Sequence, residues 1–573
     1  MSKIGTKFVF ILLVLLSIFS FNQELLSPSL VTPVADETSL FTYYDEDIRI
    51  RALSEIGRAI EERYALTEQK KYHFGLDAPK VFHTAIKTER AIPIPTTDFQ
   101  RASANLRFLD RVRSLTAQFQ DSHLVARELF SRPLIFNGLT FTKINQHILV
   151  HQNASSEAII KTGDALISID GIEATQVVEN LMSMISSSSF DQRQSEAIRK
   201  LTQRNFAYPV QAIQSWQFRT PTGKKYRVRL PWKYEATYNR LDALFYLNTL
   251  GFIAQEQPKK KAKPWLNPLH GQKHITLWTK HDSPDPVIRT GSITLENITI
   301  NTIQLFSFIN DTLWHQKEKK ESHWSQIAKS FILETKTQKR PLIIDLRFNP
   351  GGAIELPSYL LSLIAQPNAV YLPFTEGYRM TQGIIQIWER SREPNKKIDN
   401  TDPLSFSFSQ AIKQKRAYTG FFNPIPPIRT DADIGGFVQP IIVLTGPNCQ
   451  SACDLFLAMF KASKRGTIIG QATAGAGSSF LSWQPYDHTR FVDSRFLFKV
   501  NIPNSLLGIV GSPGQEYYDH PDVHLSMSLE NTPTLPNRVY DETQKDLLFN
   551  SIGWLDLSAT ILKNGNINHH LSH

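Results

Sequence analysis

The sequence has very little cysteine. Its 573 residues include only two, Cys449 and Cys453, which is too few for the disulfide framework of a small secreted scaffold. Two cysteines four positions apart at the start of a helix are poorly placed to bridge, so we expect them to pack as small apolar side chains. The pair therefore leaves open whether the chain works in an oxidising compartment.

Motifs for metals and nucleotides are missing as well. The sequence has no Cys-x-x-Cys pair and no phosphate-binding loop. A His-x-x-x-His spacing does occur at His569 to His573, but it falls in the last five residues, where a frayed tail is expected rather than a metal site. We therefore predict neither a metal nor a cofactor.

Positive charge is scattered rather than concentrated. The net charge is +10, and local peaks such as Lys259 to Lys261 stand beside prolines, which is typical of a solvated linker. A phosphate-binding patch would need such charges gathered on one surface. We therefore expect no nucleic-acid partner.

Only one apolar run suits a targeting segment. Phe8 to Phe21 follows Lys3 and Lys7, which is the pattern of a secretory signal and is short for a membrane span. This predicts export to a periplasmic or extracellular location. The alternative is that the segment stays uncleaved and anchors the chain to a membrane.

The length and the changes of pattern along the chain predict several domains. Periodicity indicates helices first, then a small β-rich module, then alternating strands and helices around buried strands. The expected units are 1–23 signal or anchor, 40–130 helical, 133–235 β-rich, 255–270 linker, 285–530 α/β core with an insertion at about 371–437, and 531–573 C-terminal extension.

Two strand-to-helix junctions in the core carry candidate chemistry. Ser451 opens a helix after the strand Pro440 to Leu444, where a hydroxyl is held out near unpaired N–H groups and the positive end of the helix dipole. In the other junction, after the strand Pro341 to Asp345, glycines permit a close approach of backbone to a substrate carbonyl. An N–H of Gly351 or Gly352, with that of Ala452, would then form an oxyanion hole.

Each junction alone has an ordinary explanation. A serine at a helix start is usually an N-cap, and a Pro-Gly-Gly sequence is usually just a turn. Their occurrence at equivalent points of successive β-α units favours a catalytic role.

At this point the sequence resembles a known family, the C-terminal processing or tail-specific serine peptidases and their tricorn-like relatives. The resemblance spans roughly Asp47 to Val523 and keeps the family's order of motifs. The matching segments are Leu342 to Gly352, Ile441 to Thr445, Gln450 to Asp454 and Ile469 to Ala476, with Ile160 to Gly171 similar to a PDZ signature. It implies a multidomain α+β chain with a PDZ-like domain and a crotonase-like α/β core.

The two branches of this family activate serine differently. The processing branch uses a lysine where this chain has Ala474 to Gly477, so a serine-lysine dyad is disfavoured. The tricorn-like branch uses a histidine and a serine from the domain before the PDZ module, which match His123 and Ser122. The resemblance thus implies His123 as general base, Ser122 as its orienting partner, and a late glutamate, for which Glu516 is the candidate and Asp519 its rival.

The resemblance further implies a polypeptide partner. The PDZ-like module would bind an extended peptide as an added strand, through Gly163, Asp164, Ala165, Leu166 and Ile167. The predicted function is a serine endopeptidase that cleaves exported or envelope proteins through an acyl-enzyme. Two alternatives stay open: a non-catalytic peptide-binding scaffold, and a crotonase-type acyl-transfer enzyme. The sequence does not indicate an oligomeric state.

Overall fold

The computed structural model describes most of the chain between residues 45 and 563. The described residues are 45–128, 135–204, 213–235, 253–255, 287–295, 298–308, 324–371, 373–391, 402–483, 498–508, 529–543, 546–547 and 552–563. The predicted signal segment, nearly all of the predicted linker, and Glu516 with Asp519 lie outside them. Among the described helices, none combines the length and the apolar character that crossing a membrane requires.

The first described region is helical, as predicted. Its elements are α1 Glu46–Arg63, α2 Thr67–Phe74, α3 Ala78–Glu89 and α4 Asp98–Ala117, followed by the strand β1 Val125–Glu128. Local sequence fixes where the helices begin. Asp45 accepts from the N–H of Ile48, and Thr97 with Gln100 forms a capping box at the start of α4.

A buried ion triad ties three of these helices together. Glu89 at the end of α3 accepts from Arg49 of α1 at 2.8 Å and forms an ion pair with Arg111 of α4, whose Nε lies 2.9 Å from the other carboxylate oxygen. The Glu89 side chain is 1% exposed, so its charge depends on both arginines for compensation.

The helical region does not form a core of its own. Leu53, Ile56 and Phe108 belong to one apolar cluster with Val500 and Ile502, which come from strands late in the chain. The strand β1 also pairs antiparallel with one of those late strands, Phe498–Pro503. The first and the last parts of the chain are therefore one packed unit.

The β-rich module follows, with two helices. Its elements are β2 Ile135–Phe136, β3 Leu139–Ile144, β4 His147–Asn153, β5 Ala165–Ile169, β6 Ile172–Glu173, α5 Ala174–Met182, α6 Phe190–Lys200, β7 Gln203–Arg204, β8 Ile213–Arg219, β9 Lys225–Pro231, β10 Lys233–Glu235 and β11 Ile253–Gln255. Five strands form an antiparallel sheet in the order β3-β4-β5-β8-β9, and β2, β7, β10 and β11 form a second, smaller sheet. Both helices contribute to the apolar core beneath the first sheet.

The largest unit is an α/β layer. Its elements are β12 Ile288–Leu295, β13 Ile298–Leu305, α7 Trp324–Thr337, β14 Leu342–Asp345, α8 Leu356–Leu363, β15 Val370–Tyr371, β16 Thr375–Tyr378, α9 Gln382–Ser391, α10 Pro403–Lys413, β17 Ile428–Arg429, β18 Ile441–Thr445, α11 Ala452–Ala462, β19 Thr467–Gly470, β20 Phe480–Trp483, β21 Phe498–Pro503, β22 Ser505–Gly508, β23 Arg538–Val539 and α12 Ile552–Lys563. The main sheet has the order β12-β13-β14-β18-β19-β23, and it is parallel from β13 onward.

Burial on both faces explains the composition of the central strands. Every residue of β14 and β18 is buried, and both strands read as continuous apolar runs. Helices α7, α8 and α11 cover one face, and α12 covers the other. Because β14 and β18 are adjacent and parallel, their carboxyl ends lie side by side. This brings together the glycine-bearing junction after β14 and the serine-bearing junction after β18.

The predicted insertion is a folded part of the molecule. Trp388 of α9 stacks on Phe408 of α10 with ring centroids 5.1 Å apart. Arg379, just before α9, donates to the carbonyl of Glu61 at the end of α1 at 2.8 Å. The insertion therefore braces the helical region against the core.

Two expectations are corrected by the structure. The sequence predicts a C-terminal extension from residue 531 onward, but β23 pairs with β19 in the main sheet, and Trp554 of α12 belongs to one apolar cluster with Ile343 and Ile442. The boundary at 530 therefore does not separate it from the core.

The second correction concerns the cysteines. Cys449 and Cys453 form a disulfide, with their Cα atoms 5.2 Å apart. Bridging is feasible because Cys449 lies in the turn before α11 rather than within the helix, so the spacing falls in the range that disulfides use. A loop this short contributes only roughly 2 kcal/mol of chain-entropy stabilisation.

The ion triad makes a testable prediction about stability. Glu89→Gln removes the charge that pairs with the buried Arg49 and the partly exposed Arg111, so we expect the free energy of unfolding to fall by about 3 kcal/mol. Urea unfolding followed by circular dichroism measures this. Glu68→Gln is the matched control, because the Glu68–Arg379 pair is half exposed on the carboxylate side and should contribute less than about 1 kcal/mol. Equal unfolding midpoints for the two variants would contradict a structural role for the triad.

Candidate active site

Ser451 occupies a strained turn between β18 and α11. It is the N-cap residue of α11 with φ 59° and ψ −123°, and its side chain makes no capping hydrogen bond. A positive φ is costly for a residue other than glycine and typically persists where function requires it. The hydroxyl is therefore not used as a helix cap, and the residue is partly exposed although Cys449, Ala452 and Cys453 around it are buried.

The glycine junction after β14 packs directly on this turn. A Cβ placed on Gly351 would lie 2.5 Å from the carbonyl oxygen of Gln450 and 2.8 Å from the nitrogen of Ala452. Gly351 also has a φ of +92°. The short distances and the positive φ both require glycine at position 351, and the distances show that the two junctions are in contact.

The N–H groups of this junction are not equivalent. Gly351 donates to the side-chain oxygen of Asn349 at 2.8 Å, so its N–H is already committed. Among the hydrogen bonds that the described residues form, none uses the N–H of Gly352 or of Ala452. Of the two glycines predicted for the oxyanion hole, the geometry favours Gly352 as the donor. Gly351 instead allows the two turns to approach closely, because it has no side chain.

His123 lies in a turn between α4 and β1 that Asp121 holds in place. One oxygen of Asp121 accepts from the N–H of His123 at 2.8 Å and from the N–H of Leu124 at 3.2 Å. The other oxygen accepts from the hydroxyl of Tyr64 at 2.8 Å. The imidazole is 4% exposed and stacks on Phe480 at a centroid distance of 5.3 Å.

A serine and a glutamate face the same ring nitrogen of His123. The Oγ of Ser478 lies 3.0 Å from Nδ1, and an oxygen of Glu530 lies 3.9 Å from it. The longer distance is beyond a hydrogen bond, so Ser478 is the group in contact with Nδ1, and the buried carboxylate of Glu530 lies near the pair. In the tautomer with Nδ1 protonated, this N–H donates to the oxygen of Ser478 and Nε2 is the basic nitrogen of the ring.

One loop, residues 473–478, connects this group to the nucleophile turn. Ala474 donates to the carbonyl of Cys449 at 2.9 Å, and Ala476 donates to Asp454 in the first turn of α11 at 2.9 Å. At its other end, Gly477 donates to Glu530 at 2.8 Å, just before Ser478 reaches His123. The loop thus holds the serine turn and the histidine group at the same edge of the sheet.

The predicted partners of His123 change accordingly. Ser122 is buried, and its Oγ has no hydrogen-bond partner among the described residues, so it does not orient the ring. Ser478 has that position, and Glu530 provides a buried carboxylate. Neither Ser478 nor Glu530 is among the residues predicted from the sequence. Ser478 nevertheless directly follows the segment Ala474 to Gly477, where the processing branch of the family has its lysine. Glu516 and Asp519 lie outside the described residues and stay predictions.

Burial dominates the electrostatics of the site. It raises the pKa of Asp121 to about 6, of Glu530 to about 7 and of Asp454 to about 7. The charge of Glu530 raises the pKa of Asp121 further. Burial lowers the pKa of Lys70, although Asp121 and Glu530 act in the opposite direction. The site therefore holds carboxyl groups that change charge near neutral pH.

Asp121, His123 and Glu530 also have the geometry of possible metal ligands. One ligand atom from each lies within 4.8 Å of the others. Both oxygens of Asp121 already accept hydrogen bonds, from His123 and Leu124 on one side and Tyr64 on the other. These residues are thus engaged in positioning the histidine.

The residues predicted to bind peptide lie inside the β-rich sheet. Strand β5 pairs with β8 along its length, and its other side meets β4, where Gly163 donates to the carbonyl of Val150 at 2.9 Å. Asp164 is 2% exposed and accepts from Tyr226 and from the N–H of Lys161. This placement is against a peptide adding to the segment Gly163 to Ile167.

Residues 299–488, which include Gly352, Ser451 and Ser478, match the model of peptidase family S41. The chain carries a domain of peptidase family S41. It is a serine peptidase, and the family expected from the sequence motifs is confirmed.

Two solved structures of mature CPAF share this fold. Mature CPAF superposes with a TM-score of 0.65 at 16% sequence identity, over 91% of this chain and 98% of that chain. Mature CPAF complexed with lactacystin gives the same TM-score and identity, with 99% of that chain covered. The photosystem II D1 C-terminal processing protease is more distant, with a TM-score of 0.38 and 13% identity over 86% of this chain and 93% of that chain. No curated protein matches the chain.

The contact of Ser478 with His123 predicts distinct effects for Ser478 and Ser122. Ser478→Ala removes the hydroxyl that contacts Nδ1 of His123, so we expect kcat to fall about ten- to hundredfold with KM unchanged. Ser122→Ala is the matched control and should change kcat less than about threefold, because Ser122 bonds to no described residue. Ser478→Thr, which keeps a hydroxyl, should recover most of the activity. A larger loss in Ser122→Ala than in Ser478→Ala would instead support the tricorn-like assignment of Ser122.

The raised pKa of Glu530 predicts a pH dependence in two quantities. Between about pH 4.5 and 7, the native state retains a proton that the unfolded chain has released, so the free energy of unfolding falls as pH rises. Peptidase activity should rise through about pH 7, because ionised Glu530, 3.9 Å from Nδ1, is the form that stabilises a positive charge on His123.

Glu530→Gln tests both effects. We expect lower activity without the step near pH 7, and a smaller loss of unfolding free energy between pH 5 and pH 8 than in the parent. Urea unfolding and kcat/KM across this range measure the two quantities. Identical pH profiles for parent and variant would contradict the role of Glu530.

Proposed function

We propose that this serine peptidase is an endopeptidase that hydrolyses exported or envelope proteins through an acyl-enzyme, with Ser451 as nucleophile and His123 as general base. The observation that carries the proposal is the contact of Ser478 with Nδ1 of His123 at 3.0 Å, with Glu530 at 3.9 Å from the same nitrogen, in a group that the 473–478 loop ties to the turn of Ser451. A neutral imidazole held in one tautomer can accept the proton of the hydroxyl as it attacks.

The reaction follows from these positions. Ser451 Oγ attacks the scissile carbonyl carbon while Nε2 of His123 takes its proton, and the imidazolium is stabilised by the oxygen of Ser478 and by the nearby charge of ionised Glu530. The N–H groups of Gly352 and Ala452 bind the oxyanion. His123 then returns the proton to the leaving amine, and a water molecule, activated by the same nitrogen, hydrolyses the acyl-enzyme.

A lysine base has no support in the described site. Lys461, on α11 beyond Ser451, donates to the carbonyl of Leu535 at 2.9 Å, and the loop that would carry a lysine is Ala474 to Gly477. The proposal of export rests on the apolar run Phe8 to Phe21 after two lysines.

We also propose that the β-rich module is PDZ-like and binds peptide segments, but at β3 rather than β5. In the described part of the sheet, β3 pairs on one side with β4 and has α6 beside it, with Lys143 donating to Gln194 of that helix at 2.8 Å. A strand edge next to a helix is the arrangement in which a peptide can add as a strand and place side chains in a groove.

The decisive experiment compares the purified full chain with Ser451→Ala. We expect the parent to cleave an unfolded protein such as casein and to react with a fluorophosphonate probe, whereas Ser451→Ala loses activity on the order of 10⁶-fold and does not label. Ser183→Ala, an exposed serine in the β-rich module, is the control and should match the parent. Failure of the parent to cleave or label would favour the non-catalytic scaffold.

A further inference from the structure

Both cysteines of the chain bracket the nucleophile. The disulfide between Cys449 and Cys453 closes a ring that contains Gln450, Ser451 and Ala452, and both cysteines are fully buried. The ring therefore encloses the attacking hydroxyl and one of the two proposed oxyanion donors.

The turn inside this ring needs an external restraint. Ser451 has a φ of 59°, which is unfavourable for serine, and neither its N–H nor its hydroxyl donates in the hydrogen bonds of the described residues. Its carbonyl accepts from Leu455 at 3.0 Å, and the other bonds of the turn include Cys449 donating to Gly446 at 3.0 Å and Cys453 donating to Gln450 at 3.1 Å. The two cysteines thus hold the chain on both sides of the strained residue.

The surroundings leave little room for the turn to relax without losing function. Gly351 packs against Gln450, Ser451 and Ala452 at distances that a Cβ could not occupy. A shift of the turn would change the position of the Ser451 hydroxyl relative to the N–H of Ala452 and of Gly352. Displacements of about 1 Å at a reacting group are enough to reduce a rate about a hundredfold.

We propose that the Cys449–Cys453 disulfide is a positioning element of the active site: it keeps Ser451 in its strained conformation, so that the hydroxyl and the N–H of Ala452 stay in fixed relation. The inference rests on the proposed function of Ser451. A cross-link over so short a loop removes little entropy from the unfolded chain. Its effect is therefore concentrated on the local turn rather than on global stability.

The test compares three forms of the full chain: the oxidised parent, the parent reduced with a phosphine under native conditions, and Cys449→Ala/Cys453→Ala. Mass spectrometry after thiol alkylation establishes the state of the cysteines. We expect kcat to fall ten- to hundredfold in both disulfide-free forms, with KM changed less than about twofold and a fall of the urea midpoint no larger than the entropic contribution of so short a loop explains. The reductant should not affect the double variant further.

Amide hydrogen exchange over residues 446–455 gives a readout that does not depend on catalysis. We expect exchange in this segment to accelerate without the disulfide, while β14 and α12 exchange as in the parent. Unchanged kcat and unchanged exchange would overturn the inference, and so would a general loss of protection, which indicates a purely structural bond. An inactive parent would contradict the proposed function, and the exchange experiment would still decide whether the disulfide restrains the turn.

Discussion

The hydrogen bond between Ser478 and His123 joins residues 355 positions apart in the chain. It can form only if the N-terminal helices pack on the α/β core, and strand pairing and apolar contacts between the two regions stabilise that packing. Strand β1, directly after His123, pairs with β21, and β21 pairs with β20, which begins two residues after Ser478. The apolar cluster that α1, α4 and β21 share packs these strands against the N-terminal helices. The histidine is therefore positioned by tertiary packing rather than by its own local sequence.

Much of the core could be predicted from the sequence because its signals are local. Fully buried parallel strands such as β14 and β18 must be continuous apolar runs, and a serine between such a strand and a helix is visible as a motif. The need for glycine at 351 is also local, since it follows from the contact between two turns that end neighbouring strands. His123 was found only through the family resemblance, because a histidine beside a serine has no distinctive pattern.

The rest of the site depends on information that no short segment contains. Ser478 and Glu530 become partners of His123 through a loop whose course is set by Asp454 and Cys449. Helical spacing predicts that Cys449 and Cys453 are poorly placed to form a disulfide, whereas the turn at Ser451 places Cys449 outside the helix. The peptide-binding residues were placed by motif in β5, but the order of strands in the sheet makes that strand an internal one. In each case, tertiary geometry decides what a motif can do.

The order of the site residues along the chain has a consequence for biosynthesis. On the proposed assignment, the base is made first, the nucleophile more than halfway along, and Glu530 close to the last helix of the core. Strand β23, which completes the main sheet, follows Glu530. A chain still emerging from the ribosome therefore contains the histidine without its partners, and it gains hydrolytic competence only when nearly all of the core has been synthesised.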